Sequence, residues 1–111
     1  MLEPLFGNIS KERILIFLFA REKGYAREIA AAFEAPVTPI QRQLENLEAD
    51  GVLYSEPVGR TIVYALNPRY AFHQELKALL ERAMSYYPPE QRELLLMNRR
   101  RPRRQGKPLT I

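Results

Sequence analysis

Along this chain, apolar positions fall into helix-like stretches on either side of one short region with strand character. Ile40, Leu44 and Leu47 follow steps of four and three residues, which puts them on one narrow stripe of an α-helix. The opposite face then carries Thr38, Arg42, Glu45, Asn46 and Ala49, with Gln41 on its flank and Gln43 closer to the apolar stripe. Thr38 suits the N-cap, Pro39 the first turn and Gly51 a left-handed exit.

Upstream, residues 1–9 read as a lead-in with apolar anchors at Leu2, Leu5, Phe6 and Ile9. Ser10 starts a helix that runs to about Lys23, with Gly24 as its stop. Its middle, Ile14 to Ala20, is seven consecutive apolar residues, so every face asks for cover. In a small domain that predicts a partner subunit against one side. Arg27 to Phe33 forms a second short helix, and Glu34 to Val37 a turn, because Pro36 disfavours helical geometry in the residue before it. Short helix, tight turn and amphipathic helix make a helix-turn-helix pattern, although the turn lacks glycine.

After Gly51 the period changes. Val52 to Glu56 and Thr61 to Leu66 are rich in β-branched and aromatic residues, and Pro57-Val58-Gly59-Arg60 joins them as a hairpin with an arginine at its tip. Asn67-Pro68 ends the second strand. Tyr70 to Tyr86 returns to helical spacing with Leu76, Leu79, Leu80 and Ala83 on one stripe. Pro88-Pro89 breaks it, Glu90 to Met97 forms a last short helix, and from Arg99 the density of charge predicts a disordered arm.

Charge sharpens this division. Of 17 basic side chains, six lie in residues 99–107. The remaining 11 face 13 acids in residues 1–98, a net of −2, so the basic character belongs to the tail and not to the body. Local clustering, and not net charge, must carry any case for nucleic acid. Cysteine is absent and His73 is the only histidine, which leaves no transition-metal cluster and no cofactor to expect. No nucleophile–base pair or phosphate-cradling glycine loop appears, so an enzyme is not expected. No apolar run approaches the roughly 20 residues that span a bilayer, and a cytoplasmic location follows as the expectation.

The order of helices around the hairpin resembles a winged helix-turn-helix transcriptional regulator, and more closely the ArsR-like class. Leu5-Phe6-Gly7, Arg13-Ile14-Leu15, Arg27-Glu28-Ile29-Ala30, the run Ile40 to Leu53, Gly59-Arg60 and Val63 to Pro68 carry the resemblance, over roughly residues 5–83. It implies a mainly α fold with a small β-hairpin as wing, a C-terminal dimerisation helix and a basic tail outside the pattern. The domain division is then a winged domain with flanking dimerisation helices at 1–86, a short helix at 87–98 and the arginine-rich tail at 99–111. Metal-sensing members use cysteine and histidine ligands, which this chain lacks apart from His73, so metal sensing is not implied. Pro36 stands where the pattern has a polar residue, which allows the third helix to begin at Val37.

The resemblance implies a dimeric repressor that binds double-stranded DNA. Arg42 would donate twice to a guanine, Gln41, Asn46 and the lower-ranked Gln43 would meet base edges, and Thr38 a phosphate or a thymine methyl. Glu45 would accept from cytosine or pair with Arg42. Arg60 would reach a phosphate or the minor groove, and Arg27 the backbone. Ile14 and Phe17 with Leu76, Leu79, Leu80 and Ala83 would form the homodimer interface. The alternative is an antitoxin-like or accessory module whose winged helix docks a partner protein. The tail has two readings, as an arm adding phosphate contacts or as a solvated or partner-binding extension, and RNA binding through it is a third function.

Overall fold

A computed structural model describes the backbone of residues 1–100 and the side chains of residues 1–96. Its elements are α1 (Glu3–Phe6), α2 (Ile9–Arg21), α3 (Ala26–Ala32), α4 (Val37–Ala49), β1 (Leu53–Val58), β2 (Thr61–Leu66), α5 (His73–Met84) and α6 (Pro89–Arg100). The expectation of a mainly helical chain with one small antiparallel hairpin holds. No helix among the described residues is long and apolar enough to cross a membrane.

Everything is arranged around α2. Ile14, Leu15, Ile16, Phe17, Leu18 and Ala20 are all buried, which is what seven apolar residues in a row demand. The cover is intramolecular: α1, α3, α4, α5, β2 and α6 all pack against this helix. Leu95 of α6 comes back from the far end of the chain and buries itself in the same core. Each such side chain contributes about 1.5–3 kcal/mol on leaving water.

This bears on the residues expected at a dimer interface. Ile14, Phe17, Leu80 and Ala83 are buried by the chain's own elements and have no surface left to offer a second copy. Leu76 and Leu79 are half-buried at the core's edge.

Several boundaries also move, each for a local reason. The lead-in contains α1, closed by Gly7 in the left-handed region. Asn8, not Ser10, caps α2, its Oδ1 accepting from the Lys11 N–H at 3.0 Å. The helix ends at Arg21, and Glu22, with φ +76°, takes the left-handed position expected near Gly24. Gly24 instead exchanges two backbone hydrogen bonds with Tyr64, at 3.0 and 2.8 Å.

The turn without glycine closes in the same way as one that has it. After α3 the Glu34 N–H donates to Ala31 and the Ala35 N–H to Ala30, with Glu34 at φ +52°. After α4 the Gly51 N–H donates to Glu48 and the Val52 N–H to Leu47, with Gly51 at φ +82°. Both are Schellman closures.

In the hairpin, Val58 pairs with Thr61, so the strand includes Pro57 and Val58 and the connection shrinks to Gly59-Arg60. Pro57 is tolerated because a two-stranded sheet has a free edge on each strand. Asn67 then ties the strand end to α4: its backbone N–H donates to Val52 and its side-chain amide to the Gly51 carbonyl at 3.0 Å. The helix expected over 70–86 is trimmed to His73–Met84. The last helix begins at Pro89 and its backbone runs through Arg99 and Arg100, where an arm was expected to have started. The remainder of that arm lies outside the described residues.

Candidate nucleic-acid interface

α4 is held by its apolar stripe. Ile40 and Leu44 are fully buried and Leu47 nearly so, against α2 and α3. That fixes which side faces out. The helix starts at Val37, preceded by Pro36 in extended geometry, so Thr38 stands in the first turn and not at the cap. No side chain caps the helix, which leaves the N–H groups of its first turn without a side-chain acceptor.

Between this face and the start of α3 lies a groove of about 420 Å³, lined by Arg27, Thr38, Gln41, Arg42 and Glu45 with Ala26 and Val37. It brings together four of the seven residues expected to meet DNA. Arg27 and Arg42 are exposed and make no hydrogen bond or ion pair among the described residues. Their charge is therefore uncommitted.

Other side chains are partly engaged. Gln41 donates from Nε2 to Glu45 Oε2 at 2.9 Å. Glu45 is thus partnered by Gln41 and not, as expected, by Arg42. Gln43 and Asn46 lie on the other flank of α4, where the Asn46 amide donates to Gln43 Oε1 at 3.3 Å. No family model, curated protein or solved structure matches the chain. The site is therefore read from its geometry.

The hairpin is fastened beside the groove. Ser55 Oγ donates to Glu48 Oε2 at 2.6 Å, joining β1 to α4. Tyr64 is buried on β2, and Lys23 pairs with Glu56 at 3.7 Å. Burial pushes the Tyr64 hydroxyl above its ordinary range; the Gln41 side chain works against this, and Glu48 and Glu45 add to it. Arg60 is exposed in the two-residue turn, where Gly59 at φ +64° supplies the left-handed geometry. It too is unpaired among the described residues.

Sequence reasoning missed Ser55 and Glu48 as the residues that set the hairpin against α4. The available signal was period two: Ser55 and Tyr64 stand on the same strand face as Leu53 and Leu66. Among the described residues no group of three or more His, Asp or Glu is placed to hold a metal ion.

Proposed function

We propose that this chain is a winged helix-turn-helix protein that reads duplex DNA and represses transcription by occupying a promoter. In this reading α3 and α4 are the helix-turn-helix and the hairpin is the wing. The observation that carries it is the pairing of Arg27 and Arg42, both exposed and uncommitted, in one groove on the side of α4 opposite its buried stripe. Arg42 is the base reader, since its fork matches guanine O6 and N7. Arg27, Thr38 and the uncapped first turn of α4 suit a phosphate. Gln41 reads a base only by giving up Glu45, which ranks it below Arg42. Arg60 on the wing follows the backbone or the minor groove.

A two-fold pair would set two α4 helices about 34 Å apart on a pseudo-palindromic site. With four of the expected interface residues buried internally, the pairing surface in this reading is the edge of α5. Leu76 and Leu79 are half-buried there, and Phe72, which precedes the helix, is 61% exposed.

The runner-up is a docking module. Val58 and Ile62 stand near the wing turn, one on each face of the hairpin, 53% and 47% exposed, apolar surface that suits a protein partner. A salt titration of binding to DNA from the chain's own promoter separates the two. The DNA reading expects affinity to fall steeply with salt. Arg42→Ala should weaken binding by about 1–3 kcal/mol, the worth of one bidentate base contact. No binding at low salt, or binding indifferent to Arg42→Ala with Arg60→Ala, favours the docking module.

A further inference from the structure

We propose that a second groove, between α2, the end of α3 and the start of α6, binds a small aromatic carboxylate that acts on the turn leading into α4. The regulatory half of this inference rests on the DNA-reading proposal; the binding half does not.

The groove measures about 320 Å³, at the lower end of the roughly 300–1,000 Å³ typical of small-molecule sites. Glu12, Arg13, Phe33, Tyr87, Pro88 and Gln91 are its principal walls. Glu12 is buried, and its charge is already answered. Oε1 accepts from the Leu2 N–H at 2.9 Å and from the Met1 ammonium at 3.3 Å, and Oε2 accepts from the Tyr87 hydroxyl at 2.6 Å. An incoming cation finds that carboxylate occupied.

Arg13 is in the opposite position. It forms no ion pair or hydrogen bond among the described residues, and its guanidinium carbon lies 5.8 Å from the centre of the Phe33 ring. A cation over a ring at a partly exposed site is worth about 0.5–1 kcal/mol. A carboxylate offers the same fork two charge-assisted hydrogen bonds, which are the stronger interaction. The rest of the wall suits a flat apolar body: Phe33 and Tyr87 present rings, Pro88 an aliphatic edge, and Gln91 a second polar group. Inorganic phosphate would satisfy Arg13 alone and leave the rings in water. A ring that carries a carboxylate uses both.

The position of Phe33 links the groove to α4. Phe33 closes α3, with its N–H donating to Ala30 at 3.3 Å, and the next residue is the left-handed Glu34 of the Schellman closure. Four residues after Phe33, α4 begins. A ligand seated on Phe33 bears on the segment that aims the reading helix.

Benzoate is the probe and benzylamine, the same ring with the opposite charge, is its control. Each is titrated at constant ionic strength into the full chain, labelled with nitrogen-15, and followed by amide shifts. Benzoate should give saturable shifts at Arg13, Phe33 and Gln91, and benzylamine should give none. Arg13→Gln, with its thermal unfolding unchanged, should weaken benzoate at least about tenfold. Benzoate binding unaltered by Arg13→Gln, benzylamine binding equally well, or shifts confined to other residues would overturn the site. DNA affinity measured with and without saturating benzoate decides regulation, a change of about threefold or more supporting it. Unchanged affinity overturns the regulatory half alone. If the chain binds no DNA at all, the DNA reading and the regulatory half fall together, and the benzoate titration still decides the site.

Discussion

Replacing Gly24 by alanine tests a close approach in the packing around α2. A Cβ built there would stand 2.5 Å from Phe17 Cε1, 3.1 Å from Cδ1 and 3.4 Å from Glu28 Oε1. Neither side can yield easily. Phe17 is fully buried, and the Arg21 guanidinium lies over its ring at 4.7 Å while donating to the Leu94 and Leu95 carbonyls at 3.0 and 2.9 Å. The Gly24 backbone is held by its two hydrogen bonds to Tyr64. Overpacking of this kind costs about 1–3 kcal/mol. The stiffer unfolded chain of the alanine variant offsets about 0.4–1 kcal/mol of that. The net loss centres near about 1.5 kcal/mol, which for a domain of this size lowers Tm by about 5–10 °C. Urea unfolding followed by circular dichroism measures it directly. Phe17→Leu removes the clashing ring edge, so Gly24→Ala should cost less in that background than in the parent chain. A neutral or stabilising Gly24→Ala, or strictly additive effects in the cycle, would refute the close approach as the reason for glycine.

Two further expectations concern the same end of the molecule. Leu95→Ala should cost about 2–5 kcal/mol, since the side chain is 1% exposed and its loss opens a cavity over α2; a loss within about 0.5 kcal/mol in urea unfolding, typical of surface substitutions, would show that α6 is not part of the core. Burial raises the Glu12 carboxyl, but hydrogen bonds from Tyr87, the Met1 ammonium and the Leu2 N–H outweigh it and hold the group below its ordinary value. Its stabilising contribution is then complete above the unfolded value of about 4.3 and is lost as pH falls through the lower folded value. Acid unfolding curves of the parent chain should accordingly fall more steeply below about pH 5 than those of Glu12→Gln, and parallel curves would contradict this.

What was legible in the sequence, and what was not, follows from the range of each interaction. The stripe of Ile40, Leu44 and Leu47 is a local period, and it identified both the helix and its outward face. Gly51 announced its left-handed exit because glycine alone adopts that geometry freely. Glu34 makes the same closure after α3 and gave no sign of it, since glutamate rarely takes positive φ. The run Ile14 to Ala20 correctly demanded cover on every side, but periodicity does not say who provides it. Leu95, far along the chain, provides part of it. At the candidate interface the exposure of Thr38 and Arg42 was readable from helical phase. The engagement of Ser55 with Glu48 was not, because it exists only once the hairpin folds back on α4.

The two hydrogen bonds between Gly24 and Tyr64 make the hairpin a lever with its fulcrum at the exit of α2. From Tyr64 to the turn at Arg60 is four residues, about 13 Å at roughly 3.3 Å each. A tilt of about 5° at the fulcrum swings the tip by about 1 Å over that length. That displacement is enough to make or break a hydrogen bond at the tip, given how narrow their distance range is. Substitutions in the short link at Glu22 and Lys23 can therefore re-aim Arg60 without altering a residue of the hairpin itself.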